Sequence, residues 1–257
     1  MPSQRVHFEN ESGTRLGGIV DLPDQGPKAF AMFSHCFTCT KDLKAIVRIS
    51  RELAKRGIGV LRFDFTGLGD SQGDFSSSNF ESNLADIDAA AKFLTDEHMA
   101  PQILMGLSLG GAAMMASASK IESGQAVVTL AAPSCTFHLA EFLAKTNPAI
   151  VSEGIGDVVI GGRTHTIRNQ MLESLRDFDL KSAIENISVP HLIFHSPVDE
   201  TLDFHHAEDI FAMTGGAKSM ITLSGAGHLM VNQPADVGYV ASMIATWAER
   251  VLELELS

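Results

Sequence analysis

The sequence predicts an α/β domain: a mostly parallel central sheet, helices on both faces and a small cap insertion. Three observations carry that expectation. Short, continuously apolar runs alternate with stretches of helical period from residue 29 to 131. The same rhythm resumes at His191 and runs to a C-terminal helix. Between Ala132 and Ser188 it is lost, which marks an insertion over the carboxyl edge of the sheet.

The elements follow in order. Arg5–Asn10 and Leu16–Asp21, joined by Glu11-Ser12-Gly13, read as a β-hairpin. Ala29–Ser34 is apolar at nearly every position, as befits a strand covered on both faces. Leu43, Ile46, Val47, Ile49, Leu53 and Ala54 fall at helical spacing, and Gly57 ends that helix. A strand at Ile58–Asp64 leads through a Gly/Ser-rich loop to a helix ending near Glu97. Gln102–Leu107 is the next strand, followed by an Ala/Met-rich helix to about Gly124 and a strand at Ala126–Ala131. The insertion, 132–188, carries a helix near Ala140, a hairpin folded about Gly161-Gly162 and a helix at Asn169–Leu175. Strands at His191–His195 and Ser219–Leu223 and a helix at Ala235–Glu253 complete one domain spanning 1–257, with the cap embedded in it.

Lys and Arg number 19 against 31 Asp and Glu, a net charge of −12. Such a field repels phosphate backbones and anionic headgroups, so neither nucleic acid nor a membrane is an expected partner. The opening MPSQRVHFENESG has no apolar core of signal-peptide length, and the 3 cysteines are too few and odd in number for a disulfide framework. Together these favour a reducing cytoplasm. No H-E-x-x-H or paired C-x-x-C suggests a metal, and no cofactor is expected.

Gly106-Leu107-Ser108-Leu109-Gly110 fits G-x-S-x-G, with the serine where a buried strand ends and a helix begins. That turn brings strand and helix so close that small flanking residues are required. A serine nucleophile needs a base, and the base an orienting acid, on loops after later strands. Asp199 follows the His191–His195 strand, and His228 follows the next in a Gly-rich loop, so the chain order is Ser, Asp, His. Glu200 and Asp203 are alternative acids. For an oxyanion hole the donors expected are the N–H of Leu109 and that of Phe37, with Cys36 as the alternative to Phe37. His35 reads as a buttress of that loop, and His205 and His206 as solvent-facing or packed at a helix start. Cys36 and Cys39 are expected as two reduced thiols packed beneath the loop; a redox pair or thiol switch is the alternative.

These residues give the sequence a resemblance to the α/β-hydrolase superfamily. It rests on Ser34-His35-Cys36, on Phe63-Asp64-Phe65-Thr66-Gly67-Leu68-Gly69-Asp70-Ser71, on the serine turn, on Asp199 and on Gly227-His228. More narrowly, HCFTCTKDLKA, LRFDFTGLGDSQGDF, VVIGGRTHTIR and HSPVDETL look like the hydrolase half of bacterial fusions with an OsmC-like thiol peroxidase. The sequence stops at Ser257 without the second half, so peroxidase activity is not carried over. Leu107 stands where many relatives have His. The resemblance implies the α/β-hydrolase fold, esterase-like activity, and Ser108, Asp199 and His228 as nucleophile, acid and base.

The expected protein is therefore a serine carboxylesterase acting on small-molecule esters of small to medium acyl chain. A thioesterase or amidase, or a non-catalytic binding protein of the same fold, is the alternative. Leu139, Phe142, Leu143 and Met171, with Ile150 and Leu172, are the candidate apolar lining of the cap. A homo-oligomer is compatible with the sequence.

Overall fold

The computed structural model describes residues 2–229 and 234–254, so both ends of the expected 1–257 span and residues 230–233 lie outside it. Strands β1 (Ser3–Glu9) and β2 (Arg15–Asp21) pair antiparallel at one edge of an eight-stranded sheet. Then come β3 (Ala29–Ser34), α1 (Lys44–Lys55), β4 (Ile58–Phe63), α2 (Phe80–Glu97), β5 (Ile103–Leu107), α3 (Leu109–Ser117) and β6 (Ala126–Leu130). A 3-10 turn at Phe75–Ser77 precedes α2. After the insertion follow β9 (His191–His195), α8 (His205–Met213), β10 (Lys218–Thr222) and α9 (Pro234–Val251). The sheet order is β1-β2-β4-β3-β5-β6-β9-β10, antiparallel as far as β4 and parallel from there on.

Alternation along the strands explains why the sheet is covered twice. Val60, Met105, Val128 and Phe194 face α1 and α9, meeting Ile46, Ile49, Leu53, Val240 and Ile244. Their neighbours Leu61, Leu104, Val127 and Ile193 point the opposite way, into the core that takes in α2, α3 and α8. The central strands are thus mainly apolar on both faces, and such a run can only sit inside.

Between β6 and β9 lie α4 (Phe137–Thr146), α5 (Ala149–Ser152), the antiparallel pair β7 (Ile155–Ile160) and β8 (Arg163–Arg168), α6 (Asn169–Asp177) and α7 (Leu180–Glu185). The hairpin turns on Gly161 and Gly162, both at positive φ. Two helices were not foreseen, α5 and α7, which are too short to show a period; α8 opens on His205 and His206, the helix start that was one of the two readings of that pair. The Ala/Met-rich helix after Ser108 is shorter than its composition suggests, α3 ending at Ser117. Among the described residues no helix is long and apolar enough to cross a membrane.

Candidate active site

Parallel strands put their carboxyl ends on one edge, and loops leaving that edge converge. Ser108 follows β5, Asp199 lies four residues past β9, and His228 follows β10. His228 Nδ1 donates to Asp199 Oδ2 at 2.8 Å, which leaves the Nε2 lone pair to accept Ser108 Oγ–H at 3.0 Å. Of the three acids considered, Asp199 is the one that meets the ring. Glu200 is exposed at the cavity, and Asp203 pairs with the exposed His205 at 2.9 Å.

Ser108 sits at φ 54° and ψ −124°, a left-handed conformation disfavoured for any residue with a Cβ. The glycines around it are dictated by backbone contact. A Cβ on Gly106 would lie 2.4 Å from the Gly110 carbonyl, and one on Gly110 would lie 2.4 Å from the His35 carbonyl. That second contact ties α3 to the loop after β3, an attachment reinforced by Ser34 Oγ donating to the Gly110 carbonyl at 2.8 Å.

Asp199 is held by its own turn, Oδ1 accepting from the amides of Thr201 at 2.8 Å and Leu202 at 2.9 Å. Burial alone would raise its carboxyl. The hydrogen bond and charge of His228, aided by the Leu202 and Thr201 amides, outweigh it and hold the group below the usual carboxylate range. His195, which the sequence reading passed over, stands behind this turn. Its Nε2 donates to the Leu202 carbonyl at 2.9 Å and lies 3.6 Å from Asp199 Oδ2. Burial keeps its ring below the ordinary histidine range.

The loop after β3 carries Phe37, and it is braced from both ends. His35 is buried, its Nδ1 donating to the Cys36 carbonyl at 2.8 Å and its Nε2 accepting from Phe65 N–H at 3.2 Å. At the far end Lys41 is 1% exposed, with Nζ 2.7 Å from both Asp64 and Asp70. Among the described residues, neither the Phe37 nor the Leu109 N–H is a backbone donor engaged elsewhere. The expectation of two free thiols beneath this loop is corrected: Cys36 and Cys39 are joined in a disulfide. The reason is local. The two residues are the ends of a turn closed by Cys39 N–H donating to the Cys36 carbonyl at 3.1 Å, which brings their Cα atoms to 5.2 Å, within bridging range.

A cavity of about 900 Å³ opens over Ser108 and His228. Leu139 and Phe142 of α4 line it, as do Ile160 and Arg163 at the tip of the β7–β8 hairpin. The proposed lining is corrected for Leu143 and Met171, and with them Ile150 and Leu172. All four are buried in the core beneath the insertion and none reaches the cavity. Successive turns of one helix look alike in composition, and which face meets the cavity depends on how the helix packs. His138, Leu43 and Asp42 also line the cavity and were not anticipated. Among the described residues no cluster of His, Cys, Asp and Glu could hold a metal ion.

This sheet, with a serine on a strained strand-to-helix turn, defines an α/β hydrolase. A family model described as serine aminopeptidase, S33 (Hydrolase_4) matches residues 27–161, and the chain belongs to that family. The esterase domain of a Rhodothermus marinus protein is 36% identical and superposes with a TM-score of 0.76, over 97% of this chain and 99% of that one. Est1E from Butyrivibrio proteoclasticus, solved with ferulic acid bound, is 17% identical with a TM-score of 0.80, over 97% and 100% of the two chains. The uncharacterized protein YfhR of Escherichia coli K12 is 21% identical over 238 residues, covering 88% of this chain and 74% of that protein. The protein is thus an α/β hydrolase by family and fold.

Proposed function

We propose that the protein is a serine carboxylesterase that cleaves small-molecule carboxylic esters of small to medium acyl chain through an acyl-enzyme. The observation that carries this reading is the unbroken line of hydrogen bonds from Asp199 through His228 to Ser108. Ser108 Oγ attacks the ester carbonyl while His228 Nε2 takes its proton, and Asp199 steadies the imidazolium that forms. The Phe37 and Leu109 N–H groups hold the tetrahedral oxyanion, each worth about 3 kcal/mol of transition-state stabilisation. His228 then protonates the leaving alcohol, and water repeats the steps to free the acid.

The segment 132–188 acts as a cap. Leu139, Phe142 and Ile160 supply the apolar wall against which an acyl chain packs. A 36%-identical esterase domain supports the ester class, and the ferulic acid held by Est1E suits an acyl group with an aromatic ring. The family's aminopeptidase description favours one second reading, amide cleavage. Asp42 and Glu200 on the cavity wall are the groups that would meet a substrate ammonium. A panel of butyrate esters beside amino-acid amides separates the two readings.

Intact mass after treatment with a fluorophosphonate tests the nucleophile. Wild type gains one adduct and Ser108→Ala none, with ester turnover falling at least about a thousandfold. An adduct on both proteins would mean another nucleophile, and none on either would mean that Ser108 is not activated.

A further inference from the structure

We infer that the Cys36–Cys39 bridge is a reversible two-electron redox site opening into the ester cavity, and that reducing it with a dithiol withdraws the Phe37 amide from the oxyanion. The inference rests on the esterase reading above, because it concerns the loop that reading uses.

Position, access and backbone conformation point the same way. The bridge spans a four-residue turn whose two central residues are Phe37 and Thr38. Both cysteines line the cavity, Cys36 only 3% exposed and Cys39 half-buried, so Cys39 Sγ is the sulfur more open to an entering thiolate. Thr38 is held at φ 58°, in the left-handed region that a β-branched residue avoids. A turn of this kind calls for glycine at its third position, and here a covalent tie across the turn stands in for the missing glycine. The supports on either side are independent of the bridge: His35 Nε2 accepting from Phe65 N–H at 3.2 Å, and the Lys41 amide on Asp64 Oδ1 at 2.7 Å. Loss of the bridge therefore frees the turn and leaves its flanks anchored.

One thiolate of the dithiol attacks Cys39 Sγ, the Cys36–Cys39 S–S bond breaks, and Cys36 leaves as a thiolate that takes a proton from solvent. The second thiol of the reductant, as thiolate, attacks the reductant's own sulfur in the mixed disulfide, closing the reductant's disulfide and releasing Cys39, which is protonated in turn. The protein gains two electrons and two protons, and the dithiol loses them. Thr38 can then relax to negative φ, the change being taken up at Cys36 ψ and Phe37 φ; this turns the Cys36–Phe37 peptide, gives up its carbonyl's hydrogen bond with His35 Nδ1 and carries the Phe37 N–H away from the oxyanion.

The test uses the full chain with Cys135→Ser, which removes the exposed third thiol. Protein is incubated anaerobically with millimolar dithiothreitol under native conditions and desalted. Thiols are then titrated in denaturant, and kcat and KM are measured on p-nitrophenyl butyrate. Thiols are expected to rise from none to two per chain. We expect kcat to fall about ten- to a hundredfold with KM within about threefold, and reoxidation by diamide to restore it. In Thr38→Gly the turn is at ease without the bridge, so reduction should cost less than about threefold in kcat. A bridge that resists native dithiothreitol, or a reduced enzyme whose kcat stays within about twofold, overturns the inference while leaving the esterase reading standing. An oxidised enzyme that neither turns over esters nor takes a fluorophosphonate overturns both.

Discussion

His191 is fully buried between two threonine hydroxyls, and its tautomer can be deduced from them. Thr214 Oγ1 spends its proton on the Ile210 carbonyl, so it accepts from His191 Nδ1–H, and His191 Nε2 in turn accepts from Thr129. Every partner suits the neutral ring, and burial drives its pKa from 6.5 down to about 3. The unfolded chain therefore binds a proton that the folded chain refuses between those values. The associated stability is complete above about 6.5 and drains away as pH falls toward 3, by about 2 kcal/mol at pH 5. Urea unfolding of wild type and His191→Gln near pH 7 and near pH 5 should show the wild type losing about 2 kcal/mol more on acidification; equal losses would refute the assignment. At this scale the sequence is uneven as a guide. Ser108, Asp199 and His228 are legible because each sits beside a recognisable strand end or glycine loop. His191 and His195 are hidden, since a histidine inside an apolar strand gives no sign of what its ring will touch.

The loop from β3 to α1 shows the same division at the scale of elements. Its apolar neighbours are plain in the sequence, but its far anchor is a buried charge. Lys41 and Arg62 are among the largest fully buried side chains, and the carboxylates that answer them, Asp64 just past β4 and Asp21 at the end of β2, are distant in sequence. Spacing cannot reveal such pairings, because they exist only once β2, β3 and β4 lie side by side. Asp64 accepts from the Lys41 amide, the Lys41 ammonium and the Asp70 amide, so it braces both the Phe37 loop and the loop after β4. Removing the cation strands a fully buried carboxylate. Lys41→Met should cost about 3 to 5 kcal/mol in urea unfolding, and Lys41→Met/Asp64→Asn should recover a good part of that by removing the orphaned charge. A loss below about 1 kcal/mol in the single variant would show that water, and not Lys41, solvates Asp64. The hairpin and strands of the sheet were legible for the opposite reason: their apolar alternation or continuity is a one-dimensional signal. The exceptions are the short helices α5 and α7.

Over the whole molecule the net charge of −12 acts on whatever approaches the cavity, and at its wall Asp42 and Glu200 add to the negative field while Arg163 opposes it. The sequence alone shows the sum of these charges but not their placement, because Arg163 reaches the cavity only through the folding of a hairpin whose position over the sheet no local pattern encodes. If the global field governs encounter, an ester bearing a second, ionised carboxylate is repelled and a neutral ester of equal size is not. Added salt shortens the reach of that repulsion to about 10 Å near 0.1 M, so the penalty on the anionic ester should shrink as salt rises. The comparison is p-nitrophenyl butyrate against the mono-p-nitrophenyl ester of glutaric acid, with kcat/KM followed from about 0.01 to about 0.3 M sodium chloride. We expect the neutral ester to vary by less than about twofold and the anionic one to gain roughly threefold or more over that range. A fall with salt for the anionic ester would mean that Arg163 captures its carboxylate against the field of the molecule, and Arg163→Gln should then abolish the salt dependence.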